Sequence, residues 1–258
     1  MSTLENASAV LKLFAKQNVM HAHPGISFSD VINQLGLPKS TTSRLLMTME
    51  SEGLLERDPD TRLYHIGRLL LSISSQYLST PLVDMAASMM IKLSQITRCT
   101  GYISALDGQE IMVLRMFQGQ QFLPVVTPVG TRSPAAETSV GRAILARQSD
   151  DEVREHFGSY KPRSANAPQN LAALLDKLAT ARQVGWTFAR NETLQGVSSI
   201  ATNISNKHRS ETIGLCLSFP SPDEPPFYPS EYVEALISTT RLLAEKLNDD
   251  YWLKNNNL

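Results

Sequence analysis

Apolar side chains recur at helical spacing in three segments of the first 50 residues. In residues 4–14 they repeat at intervals of three and four, which is the pattern of one buried helix face. The second segment starts at Ser27 or Ser29, because either hydroxyl can cap a helix, and continues to about Leu35. Gly36 then allows a sharp turn, since glycine adopts the left-handed conformation without steric cost.

The third segment separates apolar from hydrogen-bonding side chains. Leu45, Leu46 and Met49 predict its buried stripe. Two cations and four hydroxyls come before the first acidic residue: Lys39, Ser40, Thr41, Thr42, Ser43 and Arg44. These groups suit a DNA groove, where hydroxyls and arginine reach base edges or phosphates. A solvated helix face is the alternative interpretation, and an inward-packed side chain is the alternative for Thr41.

After residue 53 the period changes from helix to strand. Residues 54–57 and 62–66 flank a turn and predict a β-hairpin. Two helices, a glycine turn, a third helix and a hairpin follow the order of a winged helix-turn-helix, whose third helix enters the major groove. The sequence therefore predicts a DNA-binding element in the first 66 residues.

Further DNA contacts are predicted outside the third helix. We assign Ser29 and three hairpin residues, Arg57, Arg62 and Tyr64, to this set. The arginines have a second interpretation, in which they pair with acidic residues of the hairpin turn, Asp58 and Asp60. Both interpretations remain open at the level of sequence.

From residue 67 the pattern becomes mixed. Amphipathic helices are predicted at 67–78 and 82–97, followed by a meander of strands at 101–106, 110–117 and 122–127. The remaining helices are predicted at 139–147, 150–157, 170–184 and 230–248, and the remaining strands at 186–192, 197–204 and 212–218. Strands in the middle with helices on either side indicate an α+β domain.

Composition adds three constraints. The 258 residues include 24 basic and 25 acidic side chains, so the net charge is −1 and any DNA contact must be local. The two cysteines, Cys99 and Cys216, are too few for a disulfide framework. No segment approaches the ~20 apolar residues of a membrane helix, and the first residues lack the pattern of a secretion signal. We therefore expect a cytoplasmic protein with no membrane partner.

Several segments together resemble the IclR family of bacterial transcription regulators. In the DNA-binding part they are residues 35–46, 52–57 and 64–67, and in the second part 129–134, 140–146, 185–186, 192–196 and 199–201. The chain departs from the family pattern at two places: at 135–137 a pair of the His-Ala type is usual, and at 189–191 acidic residues are usual. For that reason the resemblance does not imply a particular effector.

The resemblance implies an organisation for the whole chain. It comprises a winged helix-turn-helix at 1–66, a linker helix at 67–81, a GAF-like effector-binding domain at 82–250 and a C-terminal tail at 251–258. It also implies self-association as a dimer or a dimer of dimers. The predicted partners are an operator in double-stranded DNA and a small effector, for which an organic or sugar acid is expected.

The predicted effector site combines the sequence pattern with the resemblance. Small and polar residues lead into the helix at 139, where free backbone N–H groups would donate hydrogen bonds to a carboxylate, although a simple N-cap is the alternative. Alternation along a strand puts Val197 and Ser199 on one face, and likewise Cys216 and Ser218. These side chains are interpreted either as ligand contacts or as close-packed core residues. The other candidates are Ser133, Ala135, Ala136, Ser139, Val140, Ala189 and Glu192.

Catalytic, metal and cofactor sites are not predicted. Cys216 and His208 are imaginable as a thiol–imidazole pair, but a cysteine in an apolar strand is usually a small buried hydrophobe. His21 and His23 lack further ligands at metal-binding spacing. The predicted function is therefore a metabolite-responsive transcription regulator, which we expect to act as a repressor. The alternative is a ligand-binding or dimerisation module whose winged helix contacts proteins.

Overall fold

The computed structural model describes residues 2–16, 25–123 and 126–254, with the backbone alone at 75–78. The chain divides into two compact units, Met1–Ser79 and Thr80–Leu258. This boundary lies two residues before the end of the linker helix predicted at 67–81. Each unit contains both helices and strands, which gives the α+β class that the sequence predicts.

The first unit contains four helices and a two-stranded hairpin among its described residues. The helices are α1 (Thr3–Lys16), α2 (Phe28–Leu35), α3 (Lys39–Ser51) and α4 (Arg68–Leu78), and the strands are β1 (Leu55–Arg57) and β2 (Tyr64–Ile66). Val10, Val31, Leu46, Met49 and Leu55 are almost completely buried and form the centre of the core. The helical periodicity of the sequence identified this core because each helix buries a single face.

Both ends of α2, the helix that precedes the turn into α3, are capped by hydrogen bonds. Ser27, rather than Ser29, caps the helix: its hydroxyl accepts the N–H of Asp30, and the Asp30 carboxylate accepts the N–H of Ser27. At the other end Gly36 adopts a left-handed conformation with φ of 65°, and its N–H donates to the carbonyl of Ile32. These two caps define the direction in which α3 begins.

The second unit is built on a six-stranded antiparallel sheet with the order β5-β4-β3-β8-β7-β6. The strands are β3 (Thr100–Asp107), β4 (Glu110–Phe117), β5 (Arg132–Pro134), β6 (Thr187–Arg190), β7 (Val197–Asn206) and β8 (Glu211–Pro220). The helices are α5 (Pro81–Thr97), α6 (Ser139–Leu145), α7 (Asp150–Phe157), α8 (Leu171–Val184), α9 (Ser230–Leu247) and α10 (Asp250–Leu253).

Helices cover both faces of this sheet. Ala201 of β7 belongs to the core formed with α6, α7 and α8. The hydroxyl of the next residue, Thr202, lies 2.7 Å from that of Thr240 on α9. Since consecutive strand residues face opposite sides, α9 lies on the face away from α6. This helix–sheet–helix arrangement is the α+β architecture predicted for the second domain.

One predicted strand is wrong. We expected a strand at 122–127, but residues 122, 123, 126 and 127 are irregular, and the edge strand is β5 instead. Proline at 128 has no N–H for a strand ladder. Val113 on β4 instead donates to the carbonyl of Thr131 and accepts the N–H of Gly130.

The segment that we assigned to a C-terminal tail begins inside an ordered helix. Trp252 of α10 is only 3% exposed, and its indole N–H donates to the carbonyl of Asn203 at 2.8 Å. Asp249, just before α10, is fully buried, pairs with Arg147 and accepts the N–H of Ser205. Only residues 255–258 of the assigned tail lie outside the described residues.

Candidate functional site

The exposed side of α3 carries most of the predicted DNA contacts. Thr42, Leu45, Leu46 and Met49 are buried on one side of this helix. Its exposed residues include Lys39, Ser40, Ser43, Arg44, Met47 and Thr48. Side chains of the exposed set supply ammonium, guanidinium and hydroxyl donors to solvent, and Glu50 is the first carboxylate along the helix. This chemistry suits phosphates and base edges.

Two predicted DNA-contacting side chains are buried instead. Thr42 has no exposed surface, and its hydroxyl donates to the carbonyl of Pro38 at 3.1 Å. Tyr64 is also buried, with the Arg57 guanidinium 5.1 Å from its ring centre. We therefore withdraw Thr42 and Tyr64 from the predicted contacts. Thr41, for which inward packing was the alternative, is half-buried.

In the hairpin, the Asp58 carboxylate bonds to a threonine and the Arg57 side chain bonds to a backbone carbonyl. Asp58 accepts the backbone N–H and the hydroxyl of Thr61 at 2.7 and 2.9 Å, and these bonds lower the pKa of its carboxyl. Arg57 donates to the carbonyl of Arg62 at 3.3 Å. Ser29 is exposed on α2. DNA contacts by Ser29, Arg57 and Arg62 stay predictions.

The second unit contains a cavity of about 90 Å³ between α6 and the sheet. That volume accommodates a compact metabolite or several water molecules. Most of the predicted effector residues line it: Ser133, Ser139, Val140, Ala189, Glu192, Val197, Ser199, Cys216 and Ser218. These side chains come from the start of α6, from the strands β5, β6, β7 and β8, and from the segment after β6.

Ala135 and Ala136 do not line this cavity. They form a short 3-10 helix, Ala135–Glu137, that packs against α6 and leaves both residues buried. Gly141 allows this close packing, because a Cβ atom there would lie 2.2 Å from the carbonyl oxygen of Ala135. The two alanines therefore support the cavity wall from behind.

Several cavity residues were missed by the sequence analysis. They are Tyr102, Ser104, Ile111, Val113, Thr127, Thr138, Thr193 and Leu194. The alternation of Tyr102 with Ser104, and of Ile111 with Val113, was a usable signal because it puts each pair on one strand face. The Thr127 N–H donates to the Tyr102 hydroxyl at 3.2 Å, and burial raises the pKa of Tyr102.

The polar lining consists mainly of hydroxyl groups. Ser139 and Ser199 lie within hydrogen-bond distance, with 2.7 Å between their oxygens. The Cys216 sulfur lies 3.7 Å from the Ser139 hydroxyl and 3.8 Å from that of Ser218. Burial raises the pKa of the Cys216 thiol, which therefore stays protonated at neutral pH. His208, the imagined partner of this thiol, is exposed in a separate short helix.

Glu192, the one carboxylate among the described residues that line the cavity, is paired with an arginine. Glu192 accepts two hydrogen bonds from Arg142, at 2.5 Å (Nη1 to Oε2) and 3.0 Å (Nη2 to Oε1). Arg142 also donates to the carbonyls of Ala136 and Phe188. The charges of the pair cancel, so the described lining presents neutral hydrogen-bonding groups and apolar surface to a ligand.

The described residues give no support for a metal site. No cluster of three or more His, Cys, Asp or Glu side chains is present among them. His21 and His23 lie outside the described residues. Within the described part of the chain, no helix is long and apolar enough to cross a membrane.

Two family models match the chain along most of its length. Residues 3–59 match the IclR helix-turn-helix domain, and residues 75–244 match the bacterial transcriptional regulator IclR C-terminal domain. The chain belongs to the IclR family. In this IclR-family regulator α3 is the second helix of the helix-turn-helix pair, and the cavity lies in the effector domain.

Individual relatives agree with this family. The regulator KdgR of Escherichia coli is 25% identical over 246 residues, covering 94% of each chain. TtgV of Pseudomonas putida is 28% identical over 182 residues, covering 70% of each chain. These relatives are transcription regulators and not enzymes, as the sequence predicted.

Solved structures share the fold. An IclR homologue from Microbacterium hydrocarbonoxydans, crystallised with 4-hydroxybenzoate, matches with a TM-score of 0.81 and 23% identity, over 96% of this chain and 99% of that one. The IclR regulator from Alicyclobacillus acidocaldarius matches with a TM-score of 0.78 and 19% identity, over 97% and 98%. At these identities the comparison establishes the fold alone.

Proposed function

We propose that this regulator is a repressor whose affinity for its operator changes when a small carboxylate-bearing metabolite occupies the cavity. The observation that carries the proposal is the hydroxyl-lined cavity between α6 and the sheet. Hydroxyls of Ser139, Ser199 and Ser218 are donors for a carboxylate or for the hydroxyls of a sugar acid. The hydroxyl of Thr138, which also lines the cavity, caps α6 by accepting a hydrogen bond from the N–H of Gly141, so the start of this helix has the simple N-cap given above as the alternative.

Named relatives support the repressor role. A protein called the acetate operon repressor of Salmonella typhimurium is 25% identical over 210 residues, and the AllR repressor of Escherichia coli is 24% identical over 224. 4-Hydroxybenzoate, present in the structural neighbour from Microbacterium, carries a carboxylate. We extend both features to this chain as parts of the proposal.

The proposed mechanism is a coupling between two binding sites. A ligand that binds one conformation of the regulator more tightly shifts the population towards it, and couplings of this kind are typically about 1–3 kcal/mol. We assign transmission to the helices between residues 67 and 97, α4 and α5. We also propose self-association, because a dimer presents two recognition helices to two half-sites. The proposed location is the cytoplasm, where bacterial DNA lies.

Fluorescence anisotropy tests the proposal. The wild-type protein is titrated onto labelled DNA from upstream of its own gene and onto a scrambled duplex, at fixed salt, with and without a panel of organic and sugar acids. We expect one acid to change operator affinity about 5- to 150-fold. The Ser199→Val variant should keep operator affinity and lose the response. An acid that acts equally on both proteins would place the effector outside this cavity.

A further inference from the structure

Met47 has an unusual position on the DNA-binding helix. It is 64% exposed, whereas the other apolar residues of α3, Leu45, Leu46 and Met49, are buried. Successive residues of an α-helix are rotated by about 100°, so Ser40, Ser43, Arg44 and Met47 fall within one arc of about 100°. That arc lies opposite the buried stripe. Met47 therefore belongs to the centre of the exposed face and not to the edge of the core.

The neighbours of Met47 on this face are polar. The Ser43 hydroxyl approaches the Met47 sulfur at 4.0 Å, and Arg44 precedes it by less than one turn. A thioether has no strong hydrogen-bond donor, so Met47 cannot hold a phosphate as Lys39 and Arg44 can. An apolar, flexible and polarisable side chain at this position can instead contribute by covering apolar surface.

The major groove offers one prominent apolar group on the base edges, the 5-methyl group of thymine. The helix that carries Met47 lies within the residues matched by the IclR helix-turn-helix model, 3–59. We propose that Met47 packs against the 5-methyl group of a thymine in the operator and makes the regulator prefer thymine at that position. Ser43 and Arg44 would contact the adjacent base edges and backbone, while Met47 reads the methyl group.

Replacement of thymine by uracil removes the methyl group and leaves base pairing intact, so it provides a direct probe. Full-length wild-type protein first selects binding sequences from a random duplex library. Anisotropy then measures its affinity for the selected duplex and for versions with one thymine replaced by uracil. We expect one such replacement to weaken binding about fourfold, the effect of one methyl group leaving an apolar contact. For Met47→Ala that penalty should disappear.

Two further variants separate the methyl contact from other effects. Met47→Leu keeps an apolar side chain and should keep the uracil penalty, whereas Met47→Gln should lose it. Lys39→Ala is the matched control on the same helix: it should weaken thymine and uracil duplexes equally and preserve their ratio. All substituted side chains are exposed, so circular dichroism should show unchanged folding.

Three outcomes would overturn the proposal. Uracil penalties that are equal in wild type and Met47→Ala at every thymine would show that Met47 reads no methyl group. A changed sedimentation coefficient of Met47→Ala, without any change in uracil penalty, would assign this surface to a protein contact. If the wild-type protein enriched no sequence from the library, the result would contradict sequence-specific DNA binding itself, on which the proposal for Met47 rests.

Discussion

Arg142 and Glu192 form a buried, two-pronged ion pair that joins α6 to the segment after β6. Their side chains are 1% and 5% exposed, and both carboxylate oxygens accept from the guanidinium. Arginine is suited to this role because its planar group fits a carboxylate with two parallel hydrogen bonds. The pair thus positions the wall of the cavity and neutralises the only carboxylate in its described lining.

Breaking this pair should destabilise the protein strongly. Glu192→Gln leaves the Arg142 charge buried without its partner, and such changes typically cost about 3–5 kcal/mol in the free energy of unfolding. Urea denaturation monitored by circular dichroism measures the change. Glu56→Gln, which breaks the exposed pair of Glu56 with Arg68, is the control and should have little effect. Equal effects of the two variants would contradict the structural role of the buried pair.

The contact between Gly214 and Val140 should limit the size of residue 214. A Cβ atom on Gly214 would lie 2.3 Å from Cγ2 of Val140, which lines the cavity. Overpacking of this kind costs about 1–3 kcal/mol, so Gly214→Ala should lower stability by that amount. Adding Val140→Ala removes the clashing methyl group. The double variant should therefore lose less stability than the sum of the single variants, as a double-mutant cycle in urea would show.

The cap of α2 should make stability depend on acidic pH. Hydrogen bonds from the Ser27 hydroxyl and N–H lower the pKa of Asp30 below its ordinary value of 3.8. Since the folded pKa is the lower one, the carboxylate contributes its full stability above about pH 5 and loses it as pH falls through the folded pKa. Ser27→Ala should cost about 1 kcal/mol at pH 6 and less at pH 3.

Ser29→Ala is the matched control for this cap. Ser29 lies two residues after Ser27 with an exposed side chain, and it is the hydroxyl of Ser27 that makes the capping bond. Melting temperatures at both pH values should be nearly those of the wild type. A larger fall in melting temperature for Ser29→Ala than for Ser27→Ala would contradict this assignment and show that Ser29 caps the helix.

Neighbouring residues of α3 should separate stability from DNA affinity. Arg44→Ala removes an exposed cation and should weaken DNA binding with little change in melting temperature. Thr42→Val removes only the buried hydroxyl that donates to Pro38, so it should lower stability by about 1 kcal/mol and leave affinity unchanged. Anisotropy and thermal unfolding of both variants provide the comparison. Weakened DNA binding by folded Thr42→Val would contradict its exclusion from the interface.

Charge introduced on α4 should disrupt the proposed self-association. Leu71 is 69% exposed, and Leu69 and Ile73 on the same helix are also exposed. Exposed apolar groups of this density are typical of surfaces that bind a partner. In sedimentation velocity at fixed concentration, the Leu71→Lys variant should sediment as a species of lower mass than the wild-type protein. Val184→Lys, on the exposed end of α8, is the control, and an equal effect would argue against a specific role of α4.

The sequence predicted most of the helices and the wing because their signals are local. Helical period, the Ser27 cap and the Gly36 turn all lie within a few residues of the element that they specify. It placed Thr42 wrongly because residue type alone does not distinguish a hydroxyl that bonds to its own helix from one that faces solvent. The same limit applies to Tyr102 and Ser104, whose place in the cavity depends on strands more than 90 residues further along the chain.

The hydrogen bond from Trp252 to Asn203 has a consequence for optical experiments. The chain has two tryptophans, Trp186 and Trp252, and both lie in the second unit. Trp186 sits just before β6, with its ring 5.0 Å from that of Tyr228, while Trp252 is shielded against β7. Indole emission therefore reports on the effector unit alone. The winged helix contains no tryptophan and therefore adds no indole emission. A single fluorophore placed in it would report its unfolding independently of the second unit.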